Sequence, residues 1–176
     1  MTPSKKPFNI SGKNHISVLH VSSAKGWRGG QQQLANLCKE LNKLNVVQTV
    51  FCIEGDEMQK WCIKNDITQT GFKKKGSISI SNAFSLKKLA QYLGTDIVHT
   101  HDSHAHTMAV LASITGKKMP PIVSSRRVDF PIATNIFSKW KYDHKNVKRI
   151  ICVSNAIKSI VQRGIKHKDK AVTVHS

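Results

Sequence analysis

The sequence predicts an α/β fold, a Rossmann-like doubly wound parallel sheet, and three observations lead to it. Short apolar runs rich in β-branched residues alternate with single amphipathic helices along the chain. The helical stripes recur at i, i+3, i+4 and i+7, as a helix packed on a sheet by one face requires. Glycine-bearing, histidine-bearing and arginine-bearing segments fall directly after the apolar runs, where ligands bind at the carboxyl ends of parallel strands.

Taken in order, residues 1–14 read as a polar tail and 15–176 as one domain. Residues 16–21 form an apolar run closing on Ser22 and Ser23, the first strand. A loop over 24–30 follows, and Leu34, Leu37, Cys38, Leu41 and Leu44 mark one stripe of the first helix. β-Branched and aromatic residues over 46–53 make a second strand, 57–65 a short helix and 67–72 a weaker third strand. Leu86, Leu89, Ala90 and Leu93 form another stripe, which Gly94 closes in the position a helix C-terminus favours. Residues 96–101 are a fourth strand, 105–115 a helix apolar on most sides and therefore buried, and 121–125 a strand. Residues 136–142 read as helical and 149–153 as a strand. Ser154 is placed to cap the helix carrying Ile157, Ile160 and Val161, Gly164 ends it, and 171–175 begin one more strand.

The chain has 176 residues, one domain's worth, enough to bury roughly 70% of the surface its unfolded form exposes. The positive charges at Lys5 and Lys6 have no apolar segment behind them, which argues against a secretory signal. The longest apolar run, over 108–114, is far short of a bilayer span. Cys38, Cys52, Cys62 and Cys152 lack CxxC spacing and sit inside apolar patterns, so they read as buried reduced thiols of a cytosolic protein. Twenty-eight Lys and Arg against ten Asp and Glu leave a net charge of +18, which attracts anionic partners. The basic residues occur in short groups such as Lys117-Lys118 and Arg126-Arg127 and form no long basic tail. Few aromatics are present and they are not interleaved with the basic groups, which argues against a nucleic-acid stacking surface.

Three clusters can carry chemistry. Gly26, Gly29 and Gly30 lie between the first strand and first helix, where glycine lets a phosphate approach the backbone and the helix N-terminus offers unpaired N–H groups. The spacing is neither GxGxxG nor a P-loop, and a plain surface turn remains an equal alternative. His99, His101, His104 and His106 raise a metal site, but the last two fall on a following helix and point apart, so no metal is expected. His99 reads as a core histidine. His101 and Asp102, at the strand's carboxyl end, are candidate ligand contacts. Arg126 and Arg127 follow the fifth strand and could clamp a phosphate or carboxylate, the alternative being that one pairs with Asp129 and the other is solvated.

Together these segments resemble the N-terminal domain of family 4 glycosyltransferases. The resemblance rests on the first strand from Ile16 to Val21, on Gly29-Gly30 before a Leu-rich helix, and on Asp96-Ile97-Val98-His99-Thr100-His101. It rests also on Ser125-Arg126-Arg127-Val128-Asp129-Phe130-Pro131 and on Arg149-Ile150-Ile151-Cys152-Val153-Ser154-Asn155-Ala156. Their order and spacing over 16–176 carry it, and no single motif does. The resemblance implies the N-terminal half of a GT-B architecture, a two-domain enzyme that moves a sugar from a nucleotide-sugar donor with retention of anomeric configuration and without a metal or other cofactor. It places Gly29 and Gly30 by the donor diphosphate, His101 by the transferred sugar, and Asp102, Arg126 and Arg127 among the substrate contacts, the arginines on the acceptor side. The sequence ends at Ser176 where such enzymes cross into the second domain, so the C-terminal Rossmann-like domain is expected to be absent and the chain inactive alone.

The acceptor expected is a sugar, lipid or polysaccharide, with envelope glycolipid or polysaccharide synthesis at the cytoplasmic membrane face the favoured setting. Lys139, Lys141, Lys145 and Lys148 are the candidates for peripheral docking on an anionic membrane surface, against the alternative of a solvated basic face. A non-catalytic phosphate- or nucleotide-binding module is the competing reading, and nucleic acid is disfavoured.

Overall fold

A computed structural model describes residues 15–74, 76, 79–114, 119–132 and 136–175. The polar tail over 1–14 and the pair Lys117-Lys118 lie outside the described residues. The elements run β1 (Ser17–Val21), α1 (Gly29–Lys43), β2 (Val47–Ile53), α2 (Glu57–Lys64), β3 (Gln69–Phe72), α3 (Ile80–Tyr92) and β4 (Ile97–Thr100). They continue with α4 (Ser103–Ile114), β5 (Ile122–Arg126), α5 (Ile136–Asp143), β6 (Val147–Cys152), α6 (Asn155–Gly164), a 3-10 turn (Lys168–Lys170) and β7 (Ala171–Thr173). Every strand predicted from the sequence forms. The order across the sheet is β3-β2-β1-β4-β5-β6-β7, with each neighbouring pair parallel. This is the predicted doubly wound sheet, and its winding reverses between β1 and β4.

The alternation of side chains along the strands decides which helices cover which face. On β2, Val50 and Cys52 pack with Leu34 and Cys38 of α1 and Met58 and Cys62 of α2. Their neighbours Phe51 and Ile53 join the larger core with Leu86 of α3 and Val110 of α4. The register His20↔Val50 and His20↔His99 therefore puts His20 and His99 on the α1 face of the sheet. All four cysteines are buried and unbridged, and burial pushes the Cys38, Cys52 and Cys62 thiols up to about 12.

Local signals act as expected. The Ser154 hydroxyl accepts from the Ile157 N–H at 3.2 Å and starts α6, and Gly94 closes α3 with φ of 57°. Leu44 departs from its stripe: it follows the last residue of α1 and is 71% exposed. Among the described residues no helix is long and apolar enough to cross a membrane.

Candidate functional site

The segments after β1, β4 and β5 converge at the carboxyl edge of the sheet, beside the point where its winding reverses. A cavity of about 490 Å³ lies there. The six residues expected at the substrates line it, Gly29, Gly30, His101, Asp102, Arg126 and Arg127, whereas Gly26 does not.

Gly29 and Gly30 form the first turn of α1, where Gln31 Oε1 accepts from the Arg28 N–H at 3.3 Å and the N-cap Arg28 offers no side-chain acceptor to the N–H groups that follow. Neither glycine needs a left-handed backbone; in this loop only Gly26 does, with φ of 72°. A Cβ on Gly29 would meet nothing within 4 Å, and one on Gly30 would meet only the Arg127 guanidinium, at 4.0 Å. Packing and backbone geometry thus make no demand for glycine at 29 and 30, whereas open space over the first N–H groups of α1 suits a bound anion.

Arg126 and Arg127 do not form a joint clamp. β5 ends at Arg126, and adjacent side chains at a pleated strand's end leave on opposite faces. Arg127 turns to the α1 face, where Nε donates to Gln33 Oε1 and Nη1 donates to the His101 carbonyl at 2.9 Å. Arg126 turns to α5, donating from Nη1 to the Tyr142 hydroxyl at 2.9 Å and from Nη2 to the Phe130 carbonyl. Among the described residues no ion pair joins either arginine to Asp129.

His101 ends a chain of hydrogen bonds whose direction is fixed at both ends. Gln48 Nε2 donates to the Cys38 carbonyl at 2.9 Å and to Asn42 Oδ1 at 2.6 Å, which orients its amide and leaves Oε1 facing His20. His20 Nε2, 3.2 Å from that oxygen, must carry the proton, so His20 Nδ1 is bare. At the other end Arg127 Nη2 can only donate, and it lies 3.2 Å from His101 Nδ1, which is therefore bare. The proton on His101 Nε2 then points at His20 Nδ1, 3.0 Å away. Burial keeps all these rings neutral: it lowers His20 to about 4, and holds His101 well below the usual histidine value, with His99, His20 and Arg127 adding to the effect. His99, buried as expected, lies with its ring centroid 4.2 Å from that of His101 and shares a hydrogen bond with the Ser125 hydroxyl at 2.8 Å.

Asp102 lines the cavity with its carboxylate already engaged. It accepts from the Ser23 N–H at 2.6 Å, the Ser23 hydroxyl at 2.5 Å, and the His104 and Ala105 N–H groups at 3.0 and 2.9 Å. It caps α4 and ties that helix to the end of β1. His104 is exposed and His106 is buried, so the helix does send them apart as the sequence implied.

The sequence did not bring His20 or Gln48 to the site, and it set Lys141 elsewhere. His20 and Gln48 reach His101 only through strand register. Lys141, expected on a basic surface, is buried: Nζ donates to the Ser103 hydroxyl at 2.9 Å, the Ser103 carbonyl at 3.3 Å and Thr107 Oγ1 at 3.2 Å. Burial and the neighbouring Arg126 lower it to about 8. Lys145 and Lys148 are exposed but flank the start of β6, at the sheet edge opposite the cavity. Of that basic series only Lys139 belongs to an exposed position near the start of α5.

Among the described residues the group with metal-ligating atoms gathered is His20, His99 and His101, within 4.8 Å of one another. Those nitrogens already serve one another, Gln48, Ser125 and Arg127, and the adjacent guanidinium opposes a cation that no carboxylate in the group offsets. The donor set suits a hydrogen-bond chain better than a metal ion.

Residues 27–176 match Glycosyltransferase Family 4. No curated protein matches the sequence. Among solved structures, the fold is similar to a glycosyltransferase from Rickettsia africae ESF-5, with TM-score 0.72 and 20% identity, covering 93% of this chain and 43% of that one. It is similar to Anabaena Alr3699/HepE in complex with UDP-glucose, with TM-score 0.70 and 12% identity, covering 92% and 44%. It is also similar to the lipopolysaccharide outer core galactosyltransferase WaaB, with TM-score 0.66 and 14% identity, covering 91% and 45%. The chain thus spans less than half the length of these neighbours, and corresponds to their N-terminal part.

Proposed function

Because the chain belongs to Glycosyltransferase Family 4, we propose that it supplies the acceptor-side half of an enzyme moving a hexose from a nucleotide-sugar donor to an acceptor, with retention of configuration and no metal. The observation that carries this reading is the convergence of Gly29, Gly30, His101 and Arg127 on one cavity at the sheet's winding reversal. The Gly29 and Gly30 N–H groups at the start of α1 and the Arg127 guanidinium suit a diphosphate. When Arg127 turns to phosphate oxygens, the bare Nδ1 of His101 is freed to accept from a hydroxyl of the transferred sugar. A neutral imidazole serves that purpose, and burial keeps it neutral.

UDP-sugars are the first donors to try, since the Anabaena neighbour is a complex with UDP-glucose. The acceptor side fits a lipid or polysaccharide at the cytoplasmic face of a membrane, approached peripherally. Val128, Phe130, Ile136 and Phe137 are exposed in the segment after β5 and at the start of α5, and Lys139 accompanies them. The chain alone binds donor without turning it over, because the remaining length of the neighbours has no counterpart in it. In that respect it behaves as a nucleotide-binding module.

The test is a saturation-transfer NMR screen of nucleotide sugars against residues 1–176. Transfer should be strongest on the sugar protons and the ribose 5′ protons that flank the diphosphate and disappear with Gly30→Val, while the melting temperature stays unchanged. Indifference of binding to Gly30→Val and Arg127→Gln would refute the site, and multiple-turnover transfer by this chain would refute its dependence on a second half.

A further inference from the structure

Two buried cations lie on the α5 side of the cavity, Arg126 in its lining and Lys141 behind that lining, and Asp102 is the one carboxylate that acts on Lys141. Arg126 is 9% exposed and Lys141 7%, and among the described residues neither pairs with a carboxylate. They flank one ring: the Arg126 guanidinium carbon lies 5.7 Å and Lys141 Nζ 5.4 Å from the centroid of Tyr142. Arg126 Nε is buried without a hydrogen-bond partner. Asp102, the acidic residue that lines the cavity, already accepts from four donors. Buried charge of one sign without full compensation is costly, so an arrangement of this kind is completed by a ligand of opposite sign.

The hydroxyls on this wall sharpen the ligand's chemistry. Tyr142 accepts from Arg126, and Ser103 accepts from Lys141. Each hydroxyl therefore has its own proton left to donate, and both line the cavity. The wall donates and has little left with which to accept. A sugar hydroxyl, which must also donate, fits it poorly, whereas a phosphate or carboxylate oxygen, which only accepts, fits it well.

We propose that Ser103, Arg126 and Tyr142, with Lys141 behind them, form an anion subsite that holds a phosphate or carboxylate carried by the acceptor. The word acceptor rests on the sugar-transfer reading; the anion subsite does not. Burial and the neighbouring Arg126 lower Lys141 against the opposing pull of Asp102, and a bound anion would restore its basicity.

Sulfate is the probe, being a dianion over the whole working range. It is titrated into the 176-residue protein by calorimetry, with ionic strength held constant by sodium chloride. The expected result is saturable binding that persists at one-to-one stoichiometry in Gly30→Val, where the α1 turn is blocked, and that in this background is weakened at least tenfold by Lys141→Met and several-fold by Ser103→Ala. Lys141→Met keeps an apolar stem and removes a buried charge, so it should remain folded, and Ser103→Ala provides a second reading if it does not. Absence of saturable binding overturns the subsite. So does binding that Gly30→Val abolishes and Lys141→Met spares, which would place the anion at the α1 turn with the donor's phosphates. If sulfate binds as expected while no nucleotide sugar binds, the subsite stands and the sugar-transfer reading falls.

Discussion

Replacing Gln48 by leucine tests the direction of the histidine chain, because a single amide sets it. The side chain is 7% exposed, so water cannot take over its bonds. Leucine removes the acceptor for His20 Nε2–H and the two bonds from Gln48 Nε2, to the Cys38 carbonyl and Asn42 Oδ1. His20 then has two poor choices. It can keep its proton on Nε2 and bury it unpaired, or move it to Nδ1 and face the proton of His101 Nε2 across 3.0 Å. His101 cannot yield, because its Nδ1 faces an arginine that has no lone pair to offer. An orphaned buried donor costs about 1–3 kcal/mol and each lost bond about 0.5–1.5, partly offset by the apolar side chain, for a net loss of roughly 2–4 kcal/mol. In a domain of this length that lowers the melting temperature by roughly 5–12 °C.

The assay is long-range nitrogen–proton NMR of the imidazoles, which reads each tautomer directly, together with a thermal melt. Wild type should show His20 and His101 both protonated on Nε2 and bare on Nδ1. Gln48→Leu should leave His101 unchanged and put His20 into exchange between tautomers. A wild-type His101 protonated on Nδ1, or a variant with unchanged melting temperature and a single His20 tautomer, would refute the chain.

Three further outcomes are expected from the same structure. His20 and His106 are lowered by burial to about 4 and about 3, and His99 and His101 also lie well below the usual value, so the unfolded chain takes up protons first; stability is complete above about pH 6.5 and falls as pH drops towards 4. Urea midpoints measured from pH 7 to pH 4 should decline steadily, and a flat profile would contradict neutral buried histidines. Gly164→Ala places a Cβ 2.9 Å from Ile132 Cβ and should cost about 1–3 kcal/mol by overpacking, whereas Gly29→Ala meets nothing and should leave the melt unchanged; equal melts would contradict the packing at α6. Ile136→Ser with Lys139→Glu should reduce binding to anionic vesicles more than Lys145→Glu with Lys148→Glu, which lies at the far edge of the sheet; equal losses would leave only generic basicity.

The sheet was legible because the strands are short apolar runs and α1, α3 and α6 show a stripe, with α4 apolar on most sides. The cavity was legible because the carboxyl ends of those strands carry glycine, histidine and arginine. What the sequence withheld is register. His20 and His101 are 81 positions apart, and period-two alternation gives the face of a side chain but not its partner on another strand. His20 did leave a trace, as a polar residue in the middle of an apolar run. Lys141 was misplaced because a lysine between aromatic residues on a short helix reads as solvent-facing, and only the fold reveals Ser103 and Thr107 opposite it.

The split between the two arginines gives the cavity two ends. Arg127 goes to the α1 face beside the start of that helix, and Arg126 goes to the α5 face beside Lys141 and Tyr142. Asp102 stands between them at the place where β1 and β4 part. Its four hydrogen bonds hold the end of β1 to the start of α4, which fixes the width of the crevice. That one carboxylate acts on both Arg127 and Lys141, but a single negative charge set against Arg126, Arg127 and Lys141 leaves the cavity electropositive. A ligand pair with negative charge at each end, a diphosphate on the α1 side and an anionic group on the α5 side, would satisfy this arrangement. A neutral molecule on the α5 side would leave Arg126 and Lys141 with Asp102 alone to offset them, which is the physical reason to look for a charged acceptor first.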